Sequence, residues 1–173
     1  MDGKFKRILI PVDGSEASAW ALKLAVQLVK EMPAAKLTLL HVIVPPSSGM
    51  GELALVSDDL MARLQADGKA VLAAAQRRLP SDAQVRTVLR EGSPAQEIVA
   101  YARQIGADFI VMGTRGRGRW ATFVLGSTAE AVIRWSRCPV VTASHDPSLA
   151  SMLRGEDDAV ADDERPEQSV LTT

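Results

Sequence analysis

Residues 113–128 read GTRGRGRWATFVLGST. Three glycines and three arginines fall within the first seven positions, and a hydrophobic run leads to a further glycine followed by two hydroxyls. Such a segment can cradle phosphates or grip a nucleic-acid backbone. Its neighbours in the chain narrow the choice. DFIVM at 108–112 precedes it as a short apolar run of strand type. Ser127-Thr128-Ala129-Glu130 follows as a capping box, opening a helix expected to end near Trp135, and CPVVTA at 138–143 then reads as another strand. The loop therefore joins the carboxyl end of a strand to the amino end of a helix.

The same alternation extends back to the amino terminus. RILIPV at 7–12 is a buried strand closed by Asp13-Gly14, and Ser15 caps a helix carrying Trp20, Ala21, Leu24, Ala25 and Leu28 at helical spacing up to Met32-Pro33. LTLLHVIV at 37–44 is a second strand. After a Pro, Ser and Gly-rich loop at 45–56, residues 57–79 place Leu60, Leu64, Val71, Leu72, Ala75 and Leu79 on one face of a second helix. Residues 84–90 alternate as a third strand. Ser93-Pro94-Ala95-Gln96 combines a capping box with proline at the first helical position, starting a helix to about Ile105. Five strands separated by four helices imply an α/β fold: an open parallel five-stranded sheet with right-handed crossovers and helices on both faces. Ligands of such sheets bind beyond the carboxyl ends of the strands, where strand order reverses. Asp13, the region after His41 and the 113–128 loop are all expected there.

Composition sets the outer bounds. The chain has 173 residues, room for one domain, and is 47% hydrophobic with 4% aromatics, so its core is aliphatic. No apolar run reaches the ~20 residues of a membrane span, and Pro11 and Asp13 interrupt the amino-terminal run too early for a signal peptide. A cytoplasmic protein is expected, and the single cysteine, Cys138, fits a reducing compartment and reads as a small buried hydrophobe. The net charge of −1 conceals a division. Residues 144–173 hold eight acids and two bases, which leaves 18 bases and 13 acids in residues 1–143. Residues 1–143 are expected to form the folded domain and 144–173 an acidic, disordered tail.

Read physically, glycines at 113, 116 and 126 free the backbone for positive φ and let a ligand approach main-chain N–H groups. Gly126 leads into a helix amino terminus, which favours an anion, and Ser127 and Thr128 add hydroxyl donors. No Walker loop exists, and the loose G-x-G-x-x-A of Gly116, Gly118 and Ala121 stops short of the helix and lacks the acid that dinucleotide sites carry.

The spacing Gly113-x2-Gly116-x9-Gly126-Ser127 resembles the nucleotide-binding signature G-x2-G-x9-G-[ST] of the universal stress proteins. The resemblance extends to KRILIPVDGSE at 6–16, LTLLHVI at 37–43, the segment from Glu91-Gly92 to Ile98, ADFIVMGTRGRG at 107–118 and GSTAEAVIRWSRCPVV at 126–141, or about residues 4–143. It implies a sheet order of 3-2-1-4-5. It further implies ATP binding, with Pro11, Val12 and the backbone at Val42 around adenine and Asp13 and Gly113 facing the ribose. Gly116, Gly126, Ser127 and Thr128 would hold the phosphates, and Met112 and Arg115 join the candidate set beside them. Any Mg²⁺ or Mn²⁺ would be carried by the phosphates. The resemblance also implies a homodimer paired through the strand at 139–143, a regulatory role in stress acting through a protein partner of unknown identity, and slow hydrolysis or none.

Other readings of the same residues stand beside these. Asp13 is also a good turn residue before Gly14, and Ser127 is also a helix cap. Arg115, Arg117 and Arg119 can meet phosphates, the acidic tail or solvent; Trp120, Phe123, Val124 and Leu125 can cover a ligand or pack beneath the loop. His41, on an apolar strand, reads as a satisfied core histidine, and two histidines without cysteine neighbours in ligand spacing point away from a protein metal site. No Ser-His-Asp set or other catalytic group assembles. Besides a nucleotide-dependent regulator, the classes left open are an interaction module indifferent to nucleotide, a related enzyme, and a nucleic-acid binder using RGRGR. The modest charge surplus and scarcity of aromatics weigh against the last.

Overall fold

A computed structural model of the chain describes residues 6–32, 34–45, 58–114 and 125–143. Strand and helix alternate through them: β1 (Arg7–Pro11), α1 (Glu16–Glu31), β2 (Lys36–Ile43), α2 (Asp58–Gln76), β3 (Gln84–Glu91), α3 (Pro94–Ile105), β4 (Phe109–Gly113), α4 (Ser127–Trp135) and β5 (Val140–Ala143). The strands form one sheet in the order β3-β2-β1-β4-β5, with every pairing parallel. This is the α/β sheet expected from the sequence.

Side chains alternate across the sheet, and each set meets its own pair of helices. Ile8, Ile10, Leu37, Leu39, Phe109 and Val111 face Trp20, Ala21 and Ala25 of α1 and Leu72 and Ala75 of α2. Leu9, Leu40, Ile110 and Met112 face Ala95, Ile98 and Tyr101 of α3 and Ala129 and Val132 of α4. Burial on both faces explains why β1 and β4 read as continuous apolar runs rather than alternating ones. Leu9, Leu39 and Ile110 are wholly removed from solvent, so the three central strands anchor the domain.

At the opposite end from the carboxyl termini, Asp108 fastens β1 to β4. Its Oδ2 accepts the N–H groups of Lys6 and Arg7, each at 2.7 Å. Partial burial pushes this carboxyl up, but the two amides and the nearby Arg7 guanidinium outweigh that and hold it below the ordinary carboxylate range. Asp108 thus stands just outside β4, which begins one residue later than expected, while α2 ends at Gln76 rather than Leu79.

The caps of α3 and α4 differ from expectation. Ser93 is the N-cap of α3, with Pro94 in the first turn, but its side chain makes no capping hydrogen bond. The N-cap of α4 is Gly126, and Ser127 is already helical, so the second capping box does not form. By contrast, Ser15 caps α1 as expected, its hydroxyl oxygen accepting from the Ser18 N–H at 3.1 Å.

Candidate functional site

The strand order reverses between β1 and β4, since β2 and β3 lie to one side of β1 and β4 and β5 to the other. A cleft of about 720 Å³ opens there, beyond the carboxyl ends of β1, β2 and β4. Its size falls in the range of small-molecule sites, about 300–1,000 Å³. Pro11, Val12, Asp13, Val42, Met112, Gly113, Gly126, Ser127 and Thr128 all line it. The two remaining candidates, Arg115 and Gly116, lie outside the described residues, as do Arg117, Arg119, Trp120, Phe123 and Val124.

Short hydrogen bonds bring the walls together. The Val12 N–H donates to the Leu40 carbonyl at 2.8 Å, and the imidazole Nδ1 of His41 lies 2.7 Å from the Val12 carbonyl. A carbonyl only accepts, so Nδ1 carries the proton. His41 is therefore the satisfied histidine expected from the sequence, and it also borders the cleft. Asp13 serves the turn as well as the cleft: its Oδ1 accepts from the Ser15 N–H at 2.9 Å. At the far wall, the Thr114 N–H donates to Ala143 and the Gly126 N–H donates to the Thr114 carbonyl at 2.8 Å. The chain thus leaves at Thr114 and returns at Gly126 across one hydrogen bond.

Gly113 and Gly126 work differently from the sequence expectation, while Gly116 lies outside the described residues. Gly126 has φ −64° and ψ 147°, an extended conformation open to any residue, and the positive-φ glycines among the described residues are Gly14, Gly92 and Gly106. Gly113 instead permits contact, because a Cβ there would stand 2.5 Å from the carbonyl carbon of Ala17. Its bareness serves the packing of α1 on β4. At Gly126 the missing side chain leaves the start of α4 without a side-chain cap. The Glu130 N–H is the first to find its partner within the helix, at the Gly126 carbonyl, so the N–H groups of Ser127, Thr128 and Ala129 precede the first intrahelical bond. Those three residues border the cleft, where their amides and the helix dipole suit an anion.

One wall is absent from the sequence reading. Leu64, Asp67, Gly68 and Val71 of α2 close the cleft on the β2 side. Gly68 allows this: a Cβ there would lie 2.7 Å from Leu89 Cδ1 and 3.0 Å from His41 Cδ2. A glycine inside a helical pattern was the available sign of such a close approach. The described lining contains no lysine or arginine. Among the described residues no group of three His, Cys, Asp or Glu side chains could hold a metal ion, and no helix is long and apolar enough to cross a membrane.

The sequence matches the model of the universal stress protein family over residues 4–144. The chain belongs to this family. Universal stress protein MJ0531 of Methanocaldococcus jannaschii is 38% identical over 141 residues, covering 79% of this chain and 81% of the relative. The structure of universal stress protein UspA from Lactobacillus plantarum is 28% identical and aligns with a TM-score of 0.69 over 82% of this chain and 99% of its own. A universal stress protein solved in complex with cAMP aligns with a TM-score of 0.61 at 25% identity, over 82% and 98% of the two chains. The similarity to universal stress proteins thus spans the sheet and its four helices.

Proposed function

We propose that this universal stress protein is an ATP-binding regulator that acts through nucleotide-dependent interactions and hydrolyses its ligand slowly or not at all. The observation that carries this reading is the start of α4: Gly126 offers no side-chain cap, and the first turn opens into the same cleft as Asp13 and the end of β2. The solved relative holding cAMP adds support for an adenine nucleotide.

The donor set fits such a ligand. Phosphates meet the Ser127, Thr128 and Ala129 amides and the Ser127 and Thr128 hydroxyls. Pro11, Val12, Val42 and Met112 supply the apolar surface for adenine, while Asp13 and Gly113 flank the ribose. Arg115 and Gly116 belong to this site by their place in the signature. Mg²⁺ or Mn²⁺ would travel with the phosphates and offset their charge. Slow turnover accords with the described lining, where His41 has Nδ1 committed to Val12 and Asp13 is tied into its turn.

The domain responsible is residues 1–143, with the acidic segment 144–173 as an appendage. Dimerisation falls to β5, which pairs with β4 on one side and leaves Val141 and Thr142 exposed at the sheet edge. A cytoplasmic setting and an unidentified protein partner complete the reading.

The test is to purify the protein under native conditions with no added nucleotide, denature it, and identify what is released, beside Gly126→Val. ATP released from the wild type and missing from the folded variant supports the cradle. Protein that carries none and binds no added ATP would favour an interaction module indifferent to nucleotide.

A further inference from the structure

All five strands start at one end of the parallel sheet, and the helices between them finish there. At that end, remote from the cleft, bases accumulate. Lys30 and Arg103 lie in the last turns of α1 and α3, Arg77 and Arg78 follow α2, and Arg137 stands just beyond α4. Bases so placed complement the negative ends of the helix dipoles. Lys6, which precedes β1, and Lys36, which opens β2, have no such role. The Lys36 N–H donates to the Lys6 carbonyl at 2.6 Å, so these two lysines stand side by side. All seven bases are exposed, and no ion pair engages any of them among the described residues. The described acids at this end are Glu31, Asp82 and Asp108, and Asp108 already serves the Lys6 and Arg7 amides.

The cleft end has the opposite sign. Glu16, Asp58, Asp59, Glu97 and Glu130 occupy the first turns of the four helices, and the nearby bases Arg63 and Arg90 are paired with Asp59 and Glu97.

Unpaired bases gathered on one face suit a polyanion, and the chain carries one. Six acids and no base fall within residues 156–164, EDDAVADDE, which lie outside the described residues. β5 ends at Ala143, at the cleft end, so residues 144–155 must carry this run along the height of the sheet. Those twelve residues can extend about 40 Å. The eight residues of β2 span only about 27 Å. Across the sheet, β5 and β2 are three strand spacings apart, about 14 Å. A nine-residue run, about 30 Å when extended, is long enough to pass Arg137, Arg103, Lys6 and Lys36. RGRGR at 115–119 is the competing destination, but the acids around the cleft end repel a polyanion there.

We propose that the acidic run 156–164 docks on the basic end of the sheet of its own chain, across Arg137, Arg103, Lys6 and Lys36, and covers a surface that would otherwise be open to other polyanions. Exposed ion pairs are individually weak, but the tether keeps the run at high effective concentration. The contact does not depend on what the cleft binds.

The test places a nitroxide on Val160→Cys in the full chain, with Cys138→Ala removing the native thiol, and reads amide NMR spectra, which also report that the variant is folded. At about 10 mM salt, where charges act over about 30 Å, the amides of Lys6, Lys36, Arg103 and Arg137 should lose intensity, and about 1 M salt, where they act over about 3 Å, should restore it. Replacing the six acids by Asn and Gln should restore it at low salt as well. Losses confined to Thr114, Gly126 and their neighbours would put the run at the arginine loop and overturn the proposal, as would losses that survive high salt. Losses that arise only from labelled neighbours in a mixed sample would assign the face to the tail of a second copy and overturn it too. Absence of any loss also overturns it, and amides of the basic end that then shift on adding duplex DNA would assign the face to nucleic acid instead.

Discussion

A Cβ atom at Gly113 would lie 2.7 Å from the Cβ of Ala17 and equally close to its carbonyl oxygen. The last residue of β4 therefore touches the first turn of α1 directly. Gly113→Ala should cost about 2 kcal/mol, since overpacking forces backbone shifts. Because the clash includes Ala17 backbone atoms, adding Ala17→Gly should recover only a minor part. Urea unfolding of both variants checks this; full recovery in the double variant would mean that side-chain contact alone sets the limit.

His41 ties the end of β1 to β2 through the Val12 carbonyl. His41→Leu leaves that acceptor without its donor and should destabilise the fold by about 1–3 kcal/mol. Nitrogen NMR of the imidazole should find the proton on Nδ1. A proton found on Nε2 alone would remove the basis for the expected loss.

The Asp108 carboxyl titrates below its unfolded value because the Lys6 and Arg7 amides favour its charged form. Its contribution to stability is therefore fully present above about pH 4, the ordinary carboxylate value, and is lost as pH falls through the lower folded value. Asp108→Asn should cost about 1 kcal/mol at neutral pH, a figure reduced for partial exposure. The difference from wild type should shrink below about pH 4. Thermal melts from pH 7 to pH 3 read it, and a gap that widens with acid would contradict the assignment.

Gly68→Ala places two effects in opposition. Alanine gains about 1 kcal/mol of helix propensity over glycine. The new methyl would meet Leu89 Cδ1, a movable side-chain end, and a His41 ring fixed by its hydrogen bond to Val12. We expect a net stability change within about 1 kcal/mol by urea unfolding, together with weaker nucleotide binding as α2 shifts. A loss well beyond that range would show that the seat on β2 and β3 cannot yield.

Much of the fold was legible because burial on both sheet faces leaves an unmistakable pattern. Apart from the exposed Arg7, RILIP and FIVMG are apolar, and the residues between strands return to helical spacing, so element type and the parallel arrangement follow. Element ends were less legible. Asp108 and Ser127 both carry strong local signals, yet one stands outside its expected strand and the other inside its helix. Their hydrogen bonds are decided by partners distant in sequence, as with Lys6 for Asp108, or by where the chain returns, as at Gly126 and Thr114.

By itself the sequence determined the alternating α/β architecture and, through the spacing of Gly113, Gly116 and Gly126, pointed to a candidate ligand loop. Local periodicity and glycine placement are written along the chain, so they can be read from it. Tertiary structure alone decided why two of those glycines are bare: Gly113 admits Ala17, and Gly126 opens the first turn of α4. It also decided that α2, through Gly68 and Asp67, forms a wall of the cleft. Both depend on how closely one backbone approaches another, a distance between segments far apart in sequence that no local pattern encodes.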